Sequence, residues 1–137
     1  MNVLVIEDNA QNRYLVRFLM ESRGHVIREA IDGVQGIEAA RGLRPDLILL
    51  DIQLPQMDGY AVARALRAIA ALKSVPIVAV TSFALSGDRT RALAAGCDAY
   101  IEKPINPDTF AAEVEAVVQA AAEPVAQAGQ AGREDQP

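Results

Sequence analysis

Short apolar runs alternate with amphipathic stretches along this chain. Because the runs are rich in aliphatic and β-branched residues and are short, they are predicted to be strands. Five such strands are predicted, over residues 3–6, 25–30, 46–50, 76–80 and 99–101. The run at 46–50 is apolar without alternation, which is typical of a strand buried on both faces. The run at 25–30 is more polar and is predicted to lie at a sheet edge.

The stretches between the runs have helical spacing and helical end signals. The first carries Leu15, Phe18 and Leu19 on one face, which predicts that these three side chains are buried. The last is predicted to open with Asn106 as its cap and Pro107 at the first helical position. Strands alternating with helices in this way predict an α/β fold with a parallel sheet.

The predicted fourth helix, over residues 86–96, has Leu93 as its only bulky apolar residue. A helix with so narrow an apolar stripe buries little surface, so we expect it to be lightly anchored. From residue 123 the sequence is rich in Ala, Gly, Gln and Pro and has no periodicity. One domain over residues 1–122 and a disordered tail over 123–137 are therefore predicted, with no room for a DNA-binding output domain.

Composition and charge argue against some classes of function. The net charge of −5 argues against nucleic-acid binding, which needs a basic patch. The sequence has no apolar run of membrane-spanning length and no basic leader, so we expect a cytoplasmic protein without membrane contact. The single Cys97 is expected to be a small buried thiol, and His25 a solvated residue on the polar edge strand.

Polar side chains follow the predicted strands. In a parallel α/β sheet the carboxyl ends of the strands meet at one edge, where ligands bind. The residues expected to converge there are Glu7, Asp8, Asp51, Thr81, Ser82, Lys103 and Pro104. Each of them alone has an ordinary interpretation as a helix cap, a soluble strand end or a loop residue. Their occurrence together at successive strand ends favours a functional site.

The side chains of this set are suited to one kind of chemistry, the transfer of a phosphoryl group with the help of a metal ion. Three neighbouring carboxylates repel one another and would partly protonate unless a cation lay among them. Oxygen ligands without His or Cys indicate Mg²⁺, which shares its coordination shell readily with a phosphate. Asp51 is then a candidate nucleophile that forms an aspartyl-phosphate. Lys103 and the Thr81 hydroxyl are candidates for contacts to the phosphoryl oxygens.

Two other classes with related architecture fit less well. A flavodoxin-like nucleotide binder needs a phosphate loop after the first strand, where this chain has "EDNAQN", and no G-x-G-x-x-G or P-loop motif is present. A phosphatase with an aspartyl nucleophile normally carries an Asp-x-Asp motif on the first strand, where this chain has Glu7 and Asp8.

The segments "VLVIEDN", "DLILLDIQLPQMDGY", "PIVAVTSFA" and "AGCDAYIEKPI" resemble, in order and spacing, the motifs of the receiver domain of bacterial two-component response regulators. The resemblance covers about residues 2–120, and the whole-chain layout is similar to the single-domain regulators of the DivK kind. It implies a doubly wound, flavodoxin-like sheet of strand order 2-1-3-4-5 flanked by five helices.

The resemblance also implies roles for individual residues. Asp51 would accept the phosphoryl group, Asp8 would bind Mg²⁺ directly and Glu7 through water. The backbone carbonyl of Gln53 would complete the protein ligands of the metal.

The remaining roles concern the response to phosphorylation. Thr81 would be the switch hydroxyl, Lys103 the phosphate-binding lysine and Tyr100 the aromatic switch. The peptide bond between Lys103 and Pro104 would be cis, which X–Pro bonds tolerate.

Three positions beside the site differ from the usual pattern or tune it. Ser82 replaces the small Ala or Gly more usual in the family and adds a hydroxyl near the phosphate. Phe83 and Gln53 occupy positions that tune access of water, and a shielding ring at Phe83 would give a long-lived phosphoryl group.

The function that the resemblance implies is a phosphoacceptor signalling protein with Mg²⁺-dependent self-phosphorylation and self-dephosphorylation, rather than an enzyme. Its donor would be a histidine kinase or a histidine phosphotransfer protein. Its downstream protein target would bind the fourth helix, fifth strand and fifth helix. The alternative is a receiver-like binding module that acts independently of phosphorylation.

Overall fold

The structure is a computed structural model that describes residues 1–82 and 87–122. Within these ranges the chain forms five strands: β1 (Asn2–Ile6), β2 (Val26–Ala30), β3 (Leu47–Asp51), β4 (Ile77–Thr81) and β5 (Ala99–Glu102). It also forms five α-helices: α1 (Ala10–Glu21), α2 (Gly33–Leu43), α3 (Gly59–Arg67), α4 (Asp88–Ala94) and α5 (Phe110–Ala121). Phe83 and the predicted tail over 123–137 lie outside the described residues.

The strands form one parallel sheet in the order β2-β1-β3-β4-β5, which confirms the predicted topology. All five residues of β3 and of β4 are buried, as expected for central strands covered on both faces. The strands extend slightly beyond some of the predicted limits. Asp51 and Thr81 are consequently the last residues of β3 and β4 rather than the residues that follow them.

Alternate side chains of each strand enter two separate hydrophobic layers. On one face, Leu4 and Ile6 of β1 pack in a cluster with residues of α2, α3 and α4. On the other face, Val3 and Val5 pack in a cluster with residues of α1 and α5. The sheet is thus held between two helical layers, and its carboxyl edge is fixed from both sides.

Helix α1 differs from the prediction in the face it buries. Phe18 is 58% exposed, whereas Val16 and Met20 are buried. The three predicted residues do share a side of the helix, but the helix is rotated so that Leu15 and Leu19 only flank the core. Phe18 instead stacks on the exposed ring of Tyr14, with ring centroids 6.4 Å apart.

The start of α5 was predicted too early. Asn106 accepts a hydrogen bond from the backbone N–H of Asp108 through its side chain at 2.9 Å, but this closes a turn that precedes the helix. The helix itself begins at Phe110, after Thr109. A side-chain bond of this kind serves an isolated turn as well as a helix cap, so the local signal did not distinguish them.

The prediction of a solvated His25 is wrong. Its ring lies just before β2, with Nε2 2.7 Å from a carboxylate oxygen of Glu115 and Nδ1 3.1 Å from the amino group of Met1. Arg23 also binds Glu115, and this hydrogen bond, followed by that from His25, lowers the pKa of the Glu115 carboxyl to about 2. The cluster ties α5 to the segment between α1 and β2, which sequence spacing could not indicate.

Helix α4 is anchored as lightly as its sequence predicts. Its Leu93 is 43% exposed, and its buried residues are Asp88 and Ala92. The predicted small buried thiol is confirmed, since Cys97 is buried and burial raises the pKa of its thiol to about 11. None of the helices in the described ranges is long and apolar enough to cross a membrane.

The close approach of α3 to the end of β3 gives a test of this packing. A Cβ at Gly59 would lie 2.3 Å from the Ile52 Cα and 2.8 Å from the Asp51 carbonyl oxygen, both backbone atoms. We expect Gly59→Ala to lower the free energy of unfolding by about 1–3 kcal/mol, as overpacking does. Urea unfolding measures this difference.

Gly42, within α2, is the matched control because a Cβ there meets nothing within 4 Å. Gly42→Ala should stabilise the protein by about 0.5–1 kcal/mol through helix propensity. Equal effects of the two substitutions would show that α3 does not lie against β3 in this way.

Candidate functional site

The carboxyl edge of the sheet brings the predicted site residues together. Glu7 directly follows β1, Asp51 ends β3, Thr81 ends β4 and Lys103 directly follows β5. Because the strands are parallel and adjacent, these positions share one edge although they are distant in sequence.

Three carboxylates form the centre of the site. One oxygen each from Glu7, Asp8 and Asp51 lies within 4.8 Å of the other two. Glu7 and Asp51 are buried, whereas Asp8 is exposed and marks the side open to solvent. A buried charged group needs a partner, so this group is suited to a cation that enters from the side of Asp8.

The loop that carries two of these acids is held by contacts that the sequence did not predict. Arg13 donates from Nη1 to the backbone carbonyls of Glu7 and Asp8, at 2.9 and 3.0 Å. The backbone N–H of Asn9 donates to a Glu7 carboxylate oxygen at 3.1 Å, and the Asn9 side chain caps α1. The cap could have been recognised from an Asn before a helical stretch, but the Arg13 contacts had no local signal.

Lys103 supplies the positive charge of the cluster. Its Nζ lies 2.8 Å from a Glu7 carboxylate oxygen and 3.5 Å from an Asp51 carboxylate oxygen. Its backbone N–H donates to the Thr81 carbonyl at 2.8 Å, which continues the pairing of β4 with β5. The peptide bond from Lys103 to Pro104 is cis, as the resemblance implied.

The pKa of the Asp51 carboxyl reflects its burial beside the other carboxylates of the cluster. Burial, followed by a hydrogen bond shared with Glu7, raises the pKa of the Asp51 carboxyl to about 7. The N–H of Gln53, 2.9 Å from an Asp51 oxygen, and the charge of Lys103 act in the opposite direction but do not compensate. Fully ionised, three carboxylates and one ammonium leave an excess of negative charge.

This donor set fits a magnesium ion. All the candidate side-chain ligands are carboxylate oxygens, and hard oxygen ligands are those that Mg²⁺ prefers. A divalent cation would remove the repulsion that raises the pKa of Asp51. The backbone carbonyl of Gln53 remains the predicted fourth protein ligand.

The side chain of Gln53 has a partner that sequence reasoning did not identify. Its Oε1 accepts hydrogen bonds from the backbone N–H and the hydroxyl of Ser82, and from the Thr81 hydroxyl at 3.4 Å. Thr81 is fully buried and Ser82 is exposed. The extra hydroxyl that was expected near the phosphate is therefore engaged with Gln53.

Tyr100 does not join the carboxylate cluster. It lies in β5, half-buried, and packs against the hydrophobic layer formed with α2, α3 and α4. Burial raises the pKa of the Tyr100 hydroxyl, and the nearby charge of Asp88 raises it further.

A second polar group joins α3 to α4 beside the site. The Tyr60 hydroxyl lies 3.4 Å from a carboxylate oxygen of the buried Asp88, and the Arg91 guanidinium lies 4.2 Å from the centre of the Tyr60 ring. These residues line, together with Asp8 and Gln53, a cavity of about 580 Å³. Sequence spacing gave no signal for the group, because it depends on how the two helices pack.

The fold and the edge cluster define a class of protein, the CheY-like α/β receiver domains. A family model of the response regulator receiver domain matches residues 3–115, and the chain belongs to this family. Polar-differentiation response regulator DivK from Brucella anthropi is 42% identical over 109 residues, which cover 80% of this chain and 89% of that protein. DivK from Brucella ovis is 41% identical over the same length.

Solved structures agree with this assignment. The chemotaxis protein CheY4 of Vibrio cholerae is 27% identical, with a TM-score of 0.81 over 85% of this chain and 97% of that chain. The receiver domain of the sensor histidine kinase PA1611 from Pseudomonas aeruginosa is 36% identical, with a TM-score of 0.76 over 87% of this chain and 94% of that chain. That structure contains a magnesium ion coordinated in its active-site cleft.

The raised pKa of Asp51 predicts a specific dependence of stability on pH in metal-free buffer. The folded-state pKa is about 7 and the reference value 3.8, so the folded protein binds more protons between these values. The contribution of Asp51 to stability is therefore fully present below about pH 4 and is lost as the pH rises through about 7. Asp51→Asn cannot titrate, so it should become more stable than wild type as the pH rises.

Thermal unfolding in EDTA at pH 5 and pH 8 measures this effect. Each kcal/mol of relieved repulsion should raise Tm by roughly 3–6 °C in a domain of this size. A variant less stable than wild type at pH 8, or a difference that does not change between the two pH values, would contradict the electrostatic assignment.

Proposed function

We propose that this protein is a response regulator that accepts a phosphoryl group on Asp51 from a histidine kinase or a histidine phosphotransfer protein. The observation that carries the proposal is the placement of Asp51 at the end of a central strand, between Glu7 and Lys103. It is further supported by membership of the receiver family and by the similarity to DivK, which is a response regulator.

In the proposed reaction an Asp51 carboxylate oxygen attacks the phosphorus of a phosphohistidine. The new O–P bond forms as the P–N bond breaks, and the electron pair of that bond leaves on the imidazole nitrogen. The nucleophile needs no general base once it is ionised. Hydrolysis of the acyl phosphate by water returns Asp51 to the carboxylate, which is the proposed self-dephosphorylation.

The other residues of the site would stabilise the negative charge on the phosphoryl oxygens during the transfer. Lys103, 2.8 Å from Glu7, would exchange part of its contact with the acids for a phosphoryl oxygen. The Thr81 hydroxyl would donate to a second oxygen. Glu7, Asp8, Asp51 and the Gln53 carbonyl would hold Mg²⁺, which when bound neutralises charge on the carboxylates and the phosphoryl group.

The proposed output passes through α4, β5 and α5 to a protein partner. Hydrogen bonds to charged groups contribute roughly 1.5–3 kcal/mol each, so those from Thr81 and Lys103 would supply about 3–6 kcal/mol. Reversing a 1:99 equilibrium takes about 5.5 kcal/mol. Movement of Thr81 towards the phosphate would open space for Tyr100, and the lightly anchored α4 borders that residue.

The proposal places the receiver domain at residues 1–122 and the protein in the cytoplasm, where the phosphodonors of this family act. A binding module that ignores phosphate would not need buried carboxylates around a nucleophile. The presence of Asp51, Thr81 and Lys103 at one edge therefore favours phosphate-dependent signalling over that alternative.

Intact-mass measurement after incubation with acetyl phosphate tests the proposal. We expect one added phosphoryl group on the wild type in Mg²⁺, and none in EDTA or on Asp51→Asn. Asp58→Asn is the matched control, because Asp58 is an exposed carboxylate that caps α3 and should leave phosphorylation intact.

Some receiver domains do not accept small phosphodonors. The same measurement is therefore repeated with a phosphorylated histidine phosphotransfer protein as the donor. An unmodified wild type with both donors, or modification of Asp51→Asn equal to that of wild type, would refute Asp51 as the acceptor.

A further inference from the structure

The side chain of Gln53 connects the two strands that carry the proposed phosphoacceptor and the proposed switch. Its backbone N–H donates to an Asp51 carboxylate oxygen at 2.9 Å. Its side-chain Oε1 reaches the end of β4, where it accepts from the Ser82 N–H at 3.2 Å, from the Ser82 hydroxyl and from the Thr81 hydroxyl at 3.4 Å. We call the group of Gln53, Thr81 and Ser82 the Gln53 clamp.

The three bonds of the clamp are unequal. Both donors of Ser82 are directed at Oε1, so Ser82 holds the amide in place. The Thr81 contact, at 3.4 Å, is the longest of the three. It can therefore be lost while Gln53 stays bound to Ser82.

A hydroxyl has one hydrogen to donate. The Thr81 hydroxyl cannot donate to Gln53 Oε1 and to a phosphoryl oxygen at the same time. Any bond to Gln53 in the unphosphorylated protein therefore competes with the bond that the proposed switch requires.

We propose that Gln53 is a positioning residue that holds the Thr81 hydroxyl in the unphosphorylated arrangement, and that Ser82 fixes Gln53 for this task. This inference rests on the proposed function, since it concerns the response of Thr81 to phosphate. Phosphorylation then replaces the Thr81–Gln53 bond, and the clamp sets how strongly the unphosphorylated state is favoured.

The affinity for beryllofluoride, a phosphoryl mimic that binds a carboxylate in the presence of Mg²⁺, tests the proposal by calorimetry. Gln53→Met keeps the length of the side chain and replaces the amide oxygen by a thioether, which is only a weak acceptor. Ser82→Ala removes the hydroxyl that fixes Gln53. Each should bind the mimic about two- to tenfold more tightly than wild type, the range expected for one neutral hydrogen bond. The double variant should gain no more than the better single variant, because both act on one contact.

Two controls separate the clamp from a general effect of substitution. Ser82→Thr keeps the hydroxyl and should bind the mimic like wild type. Ser74 is an exposed serine that precedes β4 at the opposite end of the strand, and Ser74→Ala should also behave like wild type. Thermal unfolding confirms that each variant is folded before binding is compared.

A second readout does not depend on phosphate chemistry. In metal-free protein the amide hydrogen of Ser82 should exchange faster in Gln53→Met than in wild type, because its acceptor has been removed. Unchanged exchange would show that the clamp does not form in solution and would overturn the proposal.

The binding results distinguish the possible failures. Weaker binding by Ser82→Ala would mean that its hydroxyl contacts the phosphoryl group, and additive gains would mean that the two residues act separately. Either result overturns the clamp and leaves the proposed function standing. If wild type binds the mimic no better than Asp51→Asn, the proposed function fails, and the proposed role of the Gln53 clamp fails with it.

Discussion

The site depends on the repulsion among three carboxylates that the fold places together at the carboxyl edge of the sheet. Glu7 and Asp51 are buried beside each other and Asp8 lies within reach of both. The ammonium of Lys103, which directly follows β5, pairs with the carboxylates of Glu7 and Asp51. Burial of like charges disfavours ionisation, which is why the pKa of the nucleophile candidate is raised to about 7. A divalent cation bound among these carboxylates would offset their repulsion and favour the ionised form of Asp51. The same arrangement therefore links the proposed metal binding, the proposed phosphoryl acceptance and the predicted loss of stability of the metal-free protein as the pH rises towards neutrality.

The packing of the rest of the fold holds these carboxylates close together. β3 and β4 are buried along their whole length, so the ends that carry Asp51 and Thr81 cannot relax apart. The close contact of Gly59 with Ile52 fixes the loop after β3 in the same way. α4 contrasts with this rigid edge, because its buried residues are the small Ala92 and the polar Asp88. A rigid acceptor next to a lightly held helix is the arrangement that lets a local change of charge move a surface.

The five strands and the residues that meet at their carboxyl edge followed from strand periodicity and the parallel-sheet rule, which depend only on residue type and order. The strand order was implied by the resemblance to receiver domains. The buried face of α1 did not follow from the sequence, since Phe18 has helical spacing but the rotation of the helix is set by its neighbours. His25 and the side chain of Gln53 also find their partners on other elements, Glu115 and Ser82 respectively. Contacts of this kind depend on tertiary packing and leave no local pattern. The start of α5 was missed for another reason: the Asn106 bond is equally suited to a turn.

The most direct test of the electrostatic account is a ¹³C NMR titration of the Asp51 carboxyl, with and without Mg²⁺. The account predicts a midpoint near pH 7 in metal-free protein and a large downward shift when Mg²⁺ is added. An ordinary carboxyl midpoint near 4 without metal, or a midpoint that Mg²⁺ leaves unchanged, would contradict it.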